Sequence, residues 1–74
     1  MHSDAELDAQ GLRCPEPLML VRNKVRALSK GDILHIVATD PSTRRDFLDF
    51  CRFMGHELVH ENTQEEKLHF WIKK

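Results

Sequence analysis

The chain has 74 residues and a formal net charge of −1 at neutral pH, which bounds it to one small domain over residues 1–74, able to bury only about 60% of its unfolded surface. It has no apolar run of membrane-spanning length and no secretory leader, so a cytoplasmic protein is expected. Two distant cysteines exclude a disulfide-dense secreted scaffold, and the near-neutral charge supplies no whole-molecule field for nucleic acid.

In chain order, Ala5–Ala9 reads as a short strand that closes where the chain turns at Gly11. A helix is predicted from Pro15 to about Leu28. Pro15 suits the first helical position, and Pro17 is tolerated because first-turn N–H groups have no acceptor within the helix. Leu18, Val21, Val25 and Leu28 form its apolar stripe, and Gly31 is the expected left-handed cap. Asp32–Thr39 is rich in branched residues and reads as a strand. Asp40 or Thr43 then caps a second helix, with Phe47, Phe50, Cys51 and Met54 on its buried face and Gly55 at its end. Strands follow at 56–61 and 67–73, joined by a polar turn over 62–66. In the last strand Leu68, Phe70 and Ile72 alternate with Lys67, His69, Trp71 and Lys73, as half-buried strands do.

The order is βαβαββ. Right-handed crossovers put both helices on one face of a four-stranded mixed sheet, so the expected fold is a two-layer α/β sandwich.

The chemistry centres on Cys14, in the run Gly11-Leu12-Arg13-Cys14-Pro15-Glu16-Pro17. A cysteine just ahead of a first helical turn is solvent-exposed, with unpaired N–H groups directed toward it. The helix dipole favours the thiolate by about 0.3–1 kcal/mol, which is under about one pKa unit. Arg13 adds to this and Glu16 opposes it. Pro15 and Pro17 contribute no N–H, which leaves the Glu16 and Leu18 amides. The expectation is a thiol modestly more acidic than an ordinary one, suited to both receiving and releasing sulfur, since very acidic thiols are poor nucleophiles. Cys51 falls on an apolar helix face and is expected to be buried and inert.

Between Gly11 and Gly31 five cations face one acid, Glu16. Such a run ordinarily makes a solvated helix face. Beside a usable thiol it also fits a docking face, for which Met19, Arg22 and Arg26 are the candidates. His35, His60 and His69 can share a sheet face with Trp71, but no Cys/His spacing matches a zinc site, so no metal ligands and no cofactor are expected. The basic cluster lacks the interleaved aromatics that direct RNA binding requires.

At Cys14-Pro15-Glu16-Pro17 the chain resembles the TusA (SirA-like) family of small bacterial sulfur-carrier proteins. The likeness extends through Leu7-Asp8-Ala9, Arg22, Gly31-Asp32, Asp40-Pro41-Ser42-Thr43, Phe50-Cys51 and Gly55-His56-Glu57-Leu58. The resemblance implies the same βαβαββ sandwich and a sulfurtransferase in which Cys14 accepts persulfide sulfur from a cysteine desulfurase. A downstream relay protein would then take the sulfur toward thiolation of the transfer-RNA wobble uridine. It also leaves open delivery to molybdenum-cofactor or other sulfur metabolism. A non-catalytic adaptor that uses only the basic helix is the contrasting reading, under which Cys14→Ala would leave activity intact. An exposed carrier thiol suits a monomer.

Overall fold

The computed structural model describes residues 3–74; Met1 and His2 of the expected unit lie outside them. Six elements follow one another: β1 (Ala5–Ala9), α1 (Glu16–Arg26), β2 (Ile33–Ala38), α2 (Thr43–Met54), β3 (Glu57–Gln64) and β4 (Lys67–Lys73). The sheet order is β1-β2-β4-β3. β1 runs parallel to β2, and β4 runs antiparallel to both of its neighbours, so the sheet is mixed as expected.

Period-two alternation decides which way each strand faces. Leu34, Ile36 and Ala38 of β2 and Phe70 and Ile72 of β4 are buried, and they pack with Val21 and Val25 of α1 and Phe47, Phe50 and Cys51 of α2. Phe47 and Phe70 meet edge to face with centroids 4.9 Å apart, a pairing worth about 0.5–1.5 kcal/mol beyond its burial. This contact fixes α2 on the sheet. Leu18 and Leu28 complete the α1 stripe as partly buried neighbours of the core.

Among the departures from the sequence expectation, four bear on how the elements end. First, α1 ends at Arg26, not Leu28. Ala27 and Leu28 turn their N–H groups back to Lys24 and Val25, three residues earlier, and Lys74 Nζ donates to the Leu28 carbonyl at 2.6 Å. Gly31 has φ +94° but lies beyond the helix end, where its N–H bonds the Lys74 carbonyl at 2.8 Å and prolongs the β2–β4 pairing. Second, the boundary residue of α2 is Ser42, whose side chain caps nothing. Asp40 works from outside the helix, accepting the Ser42 N–H at 3.0 Å, while Thr43 is buried. Third, Met54 is exposed, because Gly55 turns left-handed directly after it (φ +74°) and the chain leaves the core there. Fourth, β3 continues to Gln64, so the turn shrinks to Glu65 and Glu66, both at positive φ. A bulge between Leu58 and His60 restores the register.

Candidate functional site

Cys14 lies at the junction of the two helix starts. Its thiol is free and exposed, and that of Cys51 is free and buried. Burial alone pushes the Cys51 thiol up to about 11, so it stays protonated inside the core, where the sequence placed it.

The loop that carries Cys14 is tied to the end of β2. The Gly11 N–H donates to Thr39 Oγ1 at 2.9 Å, and the Cys14 N–H donates to Asp40 Oδ2 at 2.9 Å. Asp40 therefore holds the cysteine loop with one carboxylate oxygen and the start of α2 with the other. These two N–H bonds, from Cys14 and then Ser42, keep the Asp40 carboxyl below its ordinary value, and the Ser42 side chain and Arg13 act in the same direction. α1 itself begins at Glu16, one residue later than expected, with Pro15 as its boundary residue and Pro17 buried. The Cys14–Pro15 peptide is cis.

The electrostatics correct the expected thiol acidity. The Cys14 pKa is raised, not lowered: the thiol donates a hydrogen bond to Asp46, it is partly desolvated, and the charges of Asp46 and Asp40 oppose a thiolate, with Ser42 acting the other way. The Glu16 amide expected to steady the anion is spent on the Arg13 carbonyl at 2.9 Å. Asp46 of α2 and Asp40 just ahead of it thus favour the protonated thiol. Asp40, Ser42 and Asp46 were absent from the sequence-derived site. Asp40 and Ser42 fall in the Asp-Pro-Ser-Thr helix start, which reads equally well as a cap, and Asp46 lies three residues beyond it with no signal of its own.

Arg13 and Glu16 are exposed beside the thiol. Met19, Arg22 and Arg26 share one exposed face of α1, and the structure brings Phe53 and Met54 of α2 beside them. Together they line a groove of about 690 Å³ between the helices, and Asp46 belongs to both this groove and the thiol's surroundings. Phe53 is 86% exposed, Met54 58% and Met19 56%. These large apolar groups form an exposed apolar patch along the groove. The sequence reading named residues on the α1 side of this groove and assigned Met54 to the interior.

Among the described residues no helix is long and apolar enough to cross a membrane. The family model described as sulfurtransferase TusA matches residues 5–74. The chain belongs to the TusA family. It is 58% identical over 71 residues to a sulfur carrier protein TusA of Pseudomonas syringae, covering 96% of this chain and 84% of the relative. It is 55% identical to a sulfur carrier protein TusA of Pseudomonas paraeruginosa, covering 96% and 90%. Its backbone is similar to that of a solved SirA-like protein from Desulfitobacterium hafniense, with a TM-score of 0.82 over 93% of this chain and 95% of the other. At 15% identity that likeness concerns the fold.

Proposed function

We propose that this protein is a cytoplasmic sulfur carrier whose single 1–74 domain bears its cargo on Cys14 as a persulfide. The observation that carries the reading is the contrast between the two cysteines: one thiol is exposed at the helix junction, and the other is locked in the core. The names of the family's curated members, sulfur carrier protein TusA, support the cargo.

The first step is transfer from the persulfide of a cysteine desulfurase. The Cys14 proton passes to the Asp46 carboxylate or to water, and the Cys14 sulfur attacks the outer sulfur of the donor. One sulfur–sulfur bond forms and the donor's bond breaks, and the desulfurase cysteine leaves as a thiolate. Cys14 then carries –S–SH. No metal or organic cofactor enters these steps. Because Asp46 and Asp40 favour the protonated form, Cys14 is less reactive toward stray disulfides than a free thiolate would be. Arg13 and Glu16 border the approach to the sulfur, and Pro15 and Pro17 fix the direction of the chain around it.

Met19, Arg22 and Arg26, with Phe53 and Met54, supply the apolar and cationic surface on which the desulfurase and then a downstream relay protein dock in turn. Successive docking of two partners on one face suits a monomer. The relay ends at 2-thiolation of the transfer-RNA wobble uridine, without direct RNA binding by this chain. Incubation with a cysteine desulfurase and cysteine, followed by intact-mass measurement, tests the reading. Wild type and Cys51→Ser gain one sulfur atom, and Cys14→Ser gains none. Sulfur on Cys14→Ser would overturn the assignment. Cells carrying only Cys14→Ser should lose wobble-uridine thiolation.

A further inference from the structure

The sheet face turned away from the helices carries a side-chain cluster that the sulfur chemistry does not use. In one register row Glu6 of β1 lies beside His35 of β2, His35 beside Trp71 of β4, and Trp71 beside His60 of β3. Trp71 stacks on His35 with centroids 4.6 Å apart and planes 11° from parallel. His69, diagonal to His35 across the β2–β4 pair, brings its Nδ1 to 3.0 Å from His35 Nε2, with the two ring centroids 5.2 Å apart. On its other side, His35 Nδ1 is 3.8 Å from Glu6 Oε1.

Two imidazoles bound to one tetrahedral ion at ~2.0–2.1 Å place their nitrogens ~3.3 Å and their centroids ~5 Å apart. The His35–His69 pair has that ring separation while its two rings meet end to end through a hydrogen bond, nearly coplanar at 12°, so each ring must swing by about 35° within its own plane for both lone pairs to converge on one tetrahedral ion. The geometry points to a divalent transition-metal site, of the imidazole-preferring class to which Zn²⁺ and Cu²⁺ belong, formed by His35 Nε2 and His69 Nδ1 with water completing the shell.

Protons balance without redox. Each ring is neutral and donates one nitrogen lone pair. The proton shared between the rings moves, through solvent, to the far nitrogen of its own ring. His35 Nδ1–H then faces the Glu6 carboxylate, the outer-shell partner that metal-bound histidines commonly keep. Strand spacing holds the rings, because both sit on adjacent central strands and Trp71 covers His35. The surrounding charge also favours a cation over an anion: Glu6, Asp8 and Glu57 point outward on this face against Lys67 and Lys73. Among the described residues no cluster of three or more His, Cys, Asp and Glu is placed to hold a metal, so this is a two-ligand, open and exchangeable site.

Trp71 is the only tryptophan of the chain, which makes it the reporter. In a Cys14→Ser, His2→Gln chain, free of those two competing ligands, Cu²⁺ should quench Trp71 emission saturably at one equivalent and EDTA should restore it. Adding His35→Gln or His69→Gln should weaken the apparent affinity by at least the ~10–100-fold that loss of an outer-shell partner costs. Non-saturating quenching, or equal titrations in all chains, overturns the proposal. Should either glutamine variant fail to fold, Zn²⁺ added to the parent chain decides by nitrogen NMR. The His35 Nε2 and His69 Nδ1 resonances shift together if the site exists, and their failure to move overturns it.

Discussion

Thr43 offers a way to separate the packing of α2 from the electrostatics of the thiol. Its side chain is fully buried, and its hydroxyl donates to the Asp40 carbonyl at 2.6 Å. The same carbonyl also accepts the Thr43 N–H at 3.0 Å. Thr43→Val keeps the branched shape and removes only the hydroxyl donor. The carbonyl stays paired, so the ~1–3 kcal/mol penalty of an orphaned acceptor does not apply and the loss is the ~0.5–1.5 kcal/mol net worth of one hydrogen bond. For a domain of this size each kcal/mol corresponds to roughly 4–8 °C in Tm. Thermal and urea unfolding followed by circular dichroism should therefore show a drop of several degrees, and Thr43→Ala, which also leaves a void, should fall further. The pH profile of Cys14 alkylation should not move, because Asp40 keeps its bonds to Cys14 and Ser42. A loss above ~3 kcal/mol would mean that the carbonyl is orphaned after all, and an unchanged Tm would mean that the hydroxyl bond contributes nothing.

Asp46→Asn removes the charge and the carboxylate acceptor that favour the Cys14 thiol, so the iodoacetamide rate profile should shift to lower pH; a shift to higher pH would contradict the site's electrostatics. Asp40 has a lowered carboxyl pKa in the fold, so its stabilising contribution is present above the ordinary carboxylate value and is lost as pH falls through the depressed one. Asp40→Ala should lower the urea midpoint at neutral pH and converge with wild type on acidification, and a gap that stays constant with pH refutes this. Phe53→Asp changes a side chain that is 86% exposed; it should leave Tm within about 2–4 °C while slowing sulfur loading from the desulfurase. Loading at the wild-type rate would remove Phe53 from the docking surface.

Elements whose pattern is repeated were legible in the sequence. The alternation of Lys67–Lys73 placed β4 correctly at both ends, and β1 was placed equally well. Single-residue endings were less legible. Gly31 and Gly55 look alike as helix stops, yet only Gly55 caps a helix, because a tightened last turn had already ended α1. Cys14 was visible as an exposed thiol because its signals are local: a helix start and two prolines. Its acidity was not, because the groups that set it, Asp46 and Asp40, arrive from 32 and 26 residues away. Local sequence describes a helix dipole well and says nothing of which carboxylate folds against it. The same limit applies to the groove, whose α2 half depends on where the core ends beneath Phe53 and Met54.

The two-residue turn between β3 and β4 sets how much heat this fold can be adapted to tolerate. Glu65 and Glu66 both occupy left-handed backbone conformations, at φ +53° and +64°, where a β-carbon costs about 1–2 kcal/mol per residue. Asn-Gly meets the same geometry with far less penalty. A lineage moving to a warmer habitat thus has a stabilising step open to it in the final hairpin, one that leaves the residues around Cys14 unchanged.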